Sequence, residues 1–482
     1  MPQNLPDASA NRFVYMLSLW DEHGFYDRNA LFFFDPYRVK LFFRDSNALF
    51  PLPVREGGTG DHARDPAELE LTCSKVRNQI THQHEKNFRF NTPRNLRIVL
   101  GHACNFRCKY CAQKHEPRFV PLKIHLEEFM TRLDRNLLYD ELQLVQFWGG
   151  EPLLYWDAIK WLMKEFKKRF KISGAGFSMA TNGSMLTWDI TKDILEEPDF
   201  GFILSHDGPG QKLRGPDPLD PKKESGKCLR ILARAKSAHN DRKFANQGRN
   251  FAVNPVITSA TKSLLELVDW YYDAFGIHVP IAECIPMIPI QPGTEPYAPW
   301  PLEYEDRMFM ELMHLGIQRF DNYRLLYELF IQKLNTEDFT VNPTKATCFT
   351  TDPYMLTVDL DGNILPCQTY DASERTMPDG SPCISGKLYL DMNDSVNNRQ
   401  VKLDCEFPPL HNWASGWNKD CATCEVLSFC MGGCPYLTGE AGKIDCKSKK
   451  MHFRALFRVF LSKLFKTKVM VEPVGVMFPR TQ

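Results

Sequence analysis

The 482-residue chain has no apolar run approaching the ~18 residues that a membrane-crossing helix needs, so no transmembrane helix is expected. It has no net charge either. Its 59 Lys and Arg balance 59 Asp and Glu, so no global field draws it toward nucleic acid or an anionic membrane. The first residues, MPQNLPDASANRF, hold neither a basic segment nor an apolar core, so no secretory signal is expected. No internal repeat or long low-complexity tract breaks the chain, which excludes a repeat array. What it does have is cysteine, fifteen of them. Secreted disulfide scaffolds are short and carry a signal, and this chain is neither short nor signalled. Clustered thiols in a reducing compartment point instead to metal or cluster binding in a cytoplasmic protein. With 43 % apolar residues the chain can bury a sizeable core, as two or three domains or as one large barrel with additions.

Across about 94–284, short apolar runs alternate with helical patterns. The expected strands are LRIVL (96–100), LQLVQF (142–147), GFSMAT (176–181), FGFILS (200–205), NFAVNPV (250–256) and HVPIAEC (278–284). Helical periodicity falls at 122–138, 156–170, 187–196, 225–240 and 262–275. Strand–helix units of this length imply a parallel sheet with right-handed crossovers, and about six of them give an α/β fold, a partial (β/α)6 TIM-type barrel. In such barrels the loops after the strands carry the chemistry. A Pro-rich stretch, IPMIPIQPGTEPYAPWP (285–301), ends the pattern, and two further helices follow at 302–319 and 321–335.

The loop after the first strand reads CNFRCKYC, with Cys104, Cys108 and Cys111 spaced C-x3-C-x2-C. Closed zinc sites take four protein ligands, often as paired knuckles. Three thiolates with no near fourth suit a cubane cluster with one iron left open, whose last ligand need not come from the protein. The second strand leads into FWGGEPLL (147–154), the third into ATNG (180–183) and the fourth into SHDGP (205–209). Gly149 and Gly150 would let backbone come close to a ligand that a side chain would keep away.

In that order, at four successive strand ends, these segments resemble the radical S-adenosylmethionine (SAM) superfamily over about residues 94–284. The resemblance implies a 4Fe–4S cluster on Cys104, Cys108 and Cys111, with the amine and carboxylate of SAM on its open iron. It places Tyr110 near the adenine and the Gly149-Gly150-Glu151-Pro152 segment on the SAM amino group. Asn182, Ser205 and Asp207 are candidates for polar contacts to SAM or substrate, against ordinary turn capping as the alternative for the last two.

Downstream, CFTTDPYMLTVDLDGNILPC (348–367) reads C-x13-G-x4-C, and CATCEVLSFCMGGC (421–434) reads C-x2-C-x5-C-x3-C, followed by Cys446. C-x2-C pairs also suit zinc. The whole order resembles the SPASM extension of peptide-modifying radical SAM enzymes, which holds two further 4Fe–4S clusters. By position, one would use Cys348, Cys367 and Cys434, the other Cys421, Cys424, Cys430 and Cys446. Where sulfatase-maturing relatives carry one more cysteine, Asn342 stands here, so the fourth ligand of the first auxiliary cluster is Cys383, Cys405, Cys284 or a group from outside. Those relatives also place a basic Asp after the G-x4-C cysteine, whereas this chain has Gln368, which cannot accept a proton near neutral pH. Asp371 is the weak candidate that remains. Cys73 and Cys228 read as ordinary buried thiols.

The resemblance implies reductive cleavage of SAM to a 5′-deoxyadenosyl radical, hydrogen abstraction from an unactivated carbon, and an oxidative cross-link (thioether, C–C or C–O) in a ribosomally made peptide. The expected partners are that precursor, with its leader, and an electron donor such as flavodoxin or ferredoxin, with no nucleic acid. A SPASM-type dehydrogenase or epimerase is the alternative. A purely electron-transferring or scaffold protein is a third reading, which the intact GGEP loop and the open three-thiol site argue against.

The expected organisation is an N-terminal strand-rich extension at 1–90, binding a leader or capping the barrel, the barrel at 91–300, a helical linker at 301–345, a SPASM domain at 346–446 and a basic tail at 447–482. In the extension FVYML, ALFFFD and RVKLFF read as strands or hairpins, with a helix near 68–85. In the tail KSKKMHFRALFRVFLSKLFKTK has no acidic residue, so Lys449, Lys450, Arg454 and Arg458 could meet an acidic leader or a membrane surface. A helix packing its Phe and Leu face on the core is the alternative.

Overall fold

The computed structural model describes residues 93–111, 113, 121–137, 141–238, 251–257, 261, 263–282, 304–335, 355–365, 367–368, 386–388, 426–430 and 439–465, together with the backbone of strands at 13–20, 32–35, 40–43 and 468–475. The first three strands are β1 (Phe13–Trp20), β2 (Phe32–Asp35) and β3 (Lys40–Phe43). The barrel follows as β4 (Asn95–Val99), α1 (Lys123–Asn136), β5 (Glu141–Trp148), α2 (Trp156–Arg169), β6 (Lys171–Thr181), α3 (Trp188–Leu195), β7 (Phe200–Leu204), α4 (Glu224–Ala238), β8 (Phe251–Val253) and α5 (Leu264–Phe275). Each strand pairs in parallel with the next, from β4 to β8.

Local chemistry sets the helix ends. Thr187 caps α3 by accepting from Ile190 N. Ser263 caps α5 by accepting from Leu265 N and Glu266 N, and α5 stops at Gly276, whose φ of 69° is open to glycine. Along the strands, alternate side chains face the helices and form the core. The Phe166 ring of α2 lies 6.4 Å from Phe177 of β6, and the Phe275 ring of α5 lies 5.6 Å from Phe251 of β8. Leu96, Ile98, Val145, Phe147, Met179 and Phe202 belong to the same layer. The residues between them face the other way, into the concave side of the sheet.

Several features depart from the sequence expectation. Of the strand expected at 278–284, the described residues 278–282 pair only through Ile281, which makes single parallel bridges to Val253 and Phe320. β9 (Met355–Asp359), from the segment assigned to the SPASM domain, pairs in parallel with β4, and β10 (Asn363–Ile364) and β11 (Gly386–Lys387) extend the sheet antiparallel beyond it. Residues 355–358 of β9 are buried, as in a strand covered on both faces.

The helices α6 (Tyr304–Leu315) and α7 (Asp321–Asn335) lie where expected, and the short α8 (Leu427–Cys430) and the long α9 (Gly439–Phe465) come later. The expected tail boundary at 447 falls inside α9. Phe457 and Phe460 of α9 pack on Phe330 of α7 at 6.2 and 5.4 Å. Arg458, offered above as a surface cation, is buried over the Phe309 ring at 4.1 Å and hydrogen-bonds Asp306, so it serves the core contact. Beyond α9, β12 (Lys468–Gly475) pairs antiparallel with β1 along all eight residues, giving a sheet of order β12-β1-β2-β3. The ends of the chain, read from sequence as separate extensions, share one sheet. The helix expected near 68–85 lies outside the described residues. Among the described residues no helix is long and apolar enough to cross a membrane.

Candidate functional site

Cys104, Cys108 and Cys111 stand on the loop after β4, each partly exposed and none in a disulfide. The loop is shaped by its own backbone: Cys111 N donates to Cys108 O at 3.1 Å, and Phe106 N to Cys104 Sγ at 3.3 Å. Burial is the first cause raising all three thiols, and it pushes Cys108 up to about 12. The Arg214 guanidinium opposes this at Cys108 and Cys111, while the neighbouring thiols add to it at Cys108 and Cys104. Three thiolates here therefore need added positive charge to form together.

The strand-end segments hold this loop from three sides. From β5, Gly150 N donates to Gly101 O and Glu151 N to Ala103 O, both at 2.9 Å. A Cβ on Gly149 would stand 2.4 Å from Gly101 O, and one on Gly150 would stand 2.3 Å from Ala103 O and 2.5 Å from His102 O. The two glycines are thus needed so that this segment can lie against the cysteine loop. Glu151 is buried, and its carboxylate accepts from Leu153 N at 2.9 Å, Thr181 Oγ1 at 2.5 Å and Asn182 N at 2.8 Å. Burial pushes its pKa up, against those three donors. Pro152 opens the 3-10 turn that follows.

From β6, Asn182 Nδ2 donates to Asn105 Oδ1 at 2.9 Å, and Asn105 in turn donates to Ser184 Oγ at 2.8 Å. From β7, the Tyr110 hydroxyl donates to Asp207 Oδ2, while Asp207 Oδ1 accepts from Arg214 Nη2 at 2.8 Å and from Val256 N at 3.0 Å. Arg214 lies 5.5 Å over the Tyr110 ring, and Lys109 N donates to Leu213 O at 3.1 Å. His206, between Ser205 and Asp207, is buried against Trp270 at 4.7 Å. Its Nδ1 accepts from Gly208 N at 2.9 Å, which leaves the proton on Nε2, 3.1 Å from Asp217 Oδ1.

The expected motif residues therefore come together, largely by bonding one another. Asp207, Asn182 and Glu151 are engaged with the scaffold of the cysteine loop. Ser205 is half-buried, its backbone N bonded to Thr181 O at 2.7 Å. Among the described residues no three His, Cys, Asp or Glu side chains converge on a single ion position. A cubane spreads its thiolates over separate irons, so a wider set of thiols is what such a cluster takes. Of the C-terminal cysteines, Cys367 is buried beyond β10, Cys430 ends α8 and Cys446 lies on α9. Cys348, Cys421, Cys424, Cys434 and the weak base candidate Asp371 lie outside the described residues, as do Cys73, Cys284, Cys383 and Cys405. Cys228 is buried in α4, as expected of a core thiol.

Sequence reading missed a second group of residues. Arg97, in the middle of β4, is 1 % exposed and donates through Nε and Nη2 to Gln146 Oε1 on β5, at 3.0 and 2.7 Å. Its Nη1 donates to Gln368 Oε1 at 2.7 Å, and its guanidinium lies 4.9 Å over Trp148. Gln113, two residues beyond Cys111, donates to Gln368 O at 3.2 Å. An Arg inside LRIVL and the Gln146 of LQLVQF were the signal, since a charge in a buried parallel strand needs partners.

Comparison with known proteins agrees with this geometry. Residues 98–244 match the radical SAM superfamily. The chain is 28 % identical over 156 residues to the radical SAM cyclopropyl synthase TigE of Paramaledivibacter caminithermalis, covering 28 % of this chain and 32 % of that protein. It is 24 % identical over 224 residues to a GTP 3′,8-cyclase of Paracoccus denitrificans, covering 41 % and 62 %. The chain thus spans less than two thirds of either curated relative. The solved structure of anSMEcpe with bound AdoMet and Cp18Cys peptide superposes with a TM-score of 0.54 at 18 % identity, covering 77 % of this chain and 99 % of that one. The cysteine loop and the strand ends that clamp it lie within the matched segment, and that segment is a radical SAM domain.

Proposed function

We propose that this chain is a radical SAM peptide maturase that installs an oxidative cross-link, a thioether, C–C or C–O bond, in a ribosomally synthesised peptide. The observation that carries the reading is the clamped loop. Its three thiols are free, they stand beyond a barrel strand, and their loop is bonded to the ends of the next three strands. Cys104, Cys108 and Cys111 would hold a 4Fe–4S cluster, which when bound with SAM supplies reductive SAM cleavage and hydrogen abstraction from an unactivated carbon.

The residues of this chain do the rest. Gly149 and Gly150 let the second strand end lie flat on the loop, and Glu151 ties that segment to Thr181 and Asn182. Arg214 brings buried positive charge to the thiols while bonded to Asp207. Tyr110 and Ser205 are SAM-facing candidates. Cys348, Cys367 and Cys434, and Cys421, Cys424, Cys430 and Cys446, are the ligand sets of two auxiliary clusters. Support for linking the C-terminal cysteines to the substrate comes from Cys367, which stands one residue before the Arg97-bound Gln368. The partners are a precursor peptide with its leader and a flavodoxin- or ferredoxin-type donor in the cytoplasm.

The test is anaerobic reconstitution followed by iron analysis and product analysis. About 12 irons per chain are expected from three cubane clusters. About four irons, or two zincs, would rule out the auxiliary clusters. Cys421→Ala with Cys424→Ala, once shown to be folded, is expected to form 5′-deoxyadenosine without a peptide lighter by two hydrogens. Cross-linked peptide at wild-type yield would make those clusters structural.

A further inference from the structure

Arg97 controls the orientation of two side-chain amides. A guanidinium has five N–H donors and no acceptor, so only the oxygen of a carboxamide can face it. Gln146 and Gln368 both turn Oε1 to Arg97, at 2.7 Å each, which fixes both amide flips. Their NH2 groups consequently point away from Arg97. Among the described residues neither amide nitrogen has a hydrogen-bond partner.

A third polar group stands beside them. Ser178 pairs directly with Gln146 across β5 and β6, about 4.8 Å away by strand spacing. It is 7 % exposed, and its Oγ has no partner among the described residues. Its neighbours Phe177 and Met179 face the helices, so Ser178 faces the concave side, as Gln146 and Arg97 do. The opposite neighbour of Ser178 is Gly201, which adds no side chain to the level. Burying unpaired polar groups costs free energy, so a cluster of them marks a place where a ligand completes the bonding.

We propose that the Gln146, Gln368 and Ser178 side chains, oriented by Arg97, form a subsite that binds a side-chain carbonyl oxygen of the peptide substrate, from a carboxylate or carboxamide residue. The proposal rests on the peptide-maturase reading above and names the chemistry that the same barrel recognises. The free groups are four N–H and one O–H donor, so the ligand is an acceptor. None of the three titrates near neutral pH, so the subsite holds the substrate and takes no proton from it. Barrel interiors are narrow enough for side chains to fill them, so a substrate side chain is what reaches this level. Gln113 joins the subsite to the cysteine loop through Gln368 O, so a residue held here is held beside the thiols.

The test uses the full chain, anaerobically reconstituted, with SAM. The probes are the peptides acetyl-Gly-Gly-Xaa-Gly-Gly-amide with Xaa = Glu, Gln, norleucine or Lys, measured by equilibrium dialysis. The Glu and Gln peptides are expected to bind about fivefold or more tighter than the norleucine peptide, as one or two gained hydrogen bonds allow. Ser178→Ala removes a hydroxyl without adding bulk and is expected to reduce that preference. Gln368→Glu keeps a partner for Arg97 but exchanges donors for an acceptor, so it is expected to favour the Gln peptide over the Glu peptide. Iron content and circular dichroism confirm that each variant is folded. Equal binding of all four peptides, binding of none, or an unchanged order in Gln368→Glu overturns the subsite. Failure of the wild type to make 5′-deoxyadenosine would overturn the underlying reading instead, so the two failures are separable.

Discussion

Arg214 donates to Asp207 Oδ1 at 2.8 Å, and both side chains are buried beside the cysteine loop. Asp207 also accepts from Tyr110 and from Val256 N, so one carboxylate joins the loop to β7 and to the segment after β8. Removing one partner of a buried ion pair leaves the other charge unmatched. Asp207→Ala is therefore expected to cost about 3–5 kcal/mol of unfolding free energy. Denaturant titration checks it, and a loss under ~1 kcal/mol would mean that the pair is not fully desolvated.

Gly150→Ala tests the contact between the second strand end and the loop. The added methyl would meet two carbonyl oxygens of the cysteine loop, at 2.3 and 2.5 Å. Backbone cannot swing aside as a side chain can, so the loop itself must shift. The expected cost is about 1–3 kcal/mol, with reduced iron uptake on reconstitution. Wild-type iron content and stability would show that the two segments are not in contact.

How much of this was legible in sequence differs by region. From β4 to α5 the apolar runs and helical periods carry the fold, because each strand–helix unit buries its own faces locally. The helix expected at 156–170 is α2, Trp156–Arg169, and the one expected at 187–196 is α3, Trp188–Leu195. The pairing of β9 with β4 and of β12 with β1 was not legible, since partners hundreds of residues apart leave no local signal. At the site, the cysteines and strand-end motifs stood out by spacing. Their mutual bonding did not, because a motif names residues and not their partners. Arg97 and Gln146 went unread because they sit in strands that scan as apolar.

The pairing of the chain ends can be tested directly. Leu17 and Val471 are opposite partners of β1 and β12. Cα atoms of opposed antiparallel residues stand about 4.5–5.5 Å apart, within disulfide reach. Leu17→Cys with Val471→Cys is expected to cross-link on mild oxidation, seen as a mass loss of two hydrogens at that pair. Phe13→Cys with Lys468→Cys, at opposite ends of the ladder, is expected to stay open. The reverse result would refute the register.

His452 of α9 supplies a pH dependence. It is buried near Tyr323, and burial is the first cause that lowers its pKa from 6.5 to about 3, with Lys449 adding to it. A base depressed in the folded state contributes stability above its unfolded pKa and loses it as pH falls through 6.5 toward 3. Between pH 7.5 and 5 this one group is expected to remove about 2 kcal/mol. His452→Phe should lose that component, so the wild-type stability falls relative to the variant's by about 2 kcal/mol over that pH range. Parallel curves would place His452 in contact with water.

The central claim is that Cys104, Cys108 and Cys111, clamped by the ends of β5, β6 and β7, hold the cluster that cleaves SAM. The most direct measurement is 5′-deoxyadenosine formation by the anaerobically reconstituted, dithionite-reduced chain, wild type against the triple Ala variant. The account predicts product from the wild type, none from the variant, and about four fewer irons in the variant with the remaining iron kept. Product from the triple variant at wild-type rate would contradict it.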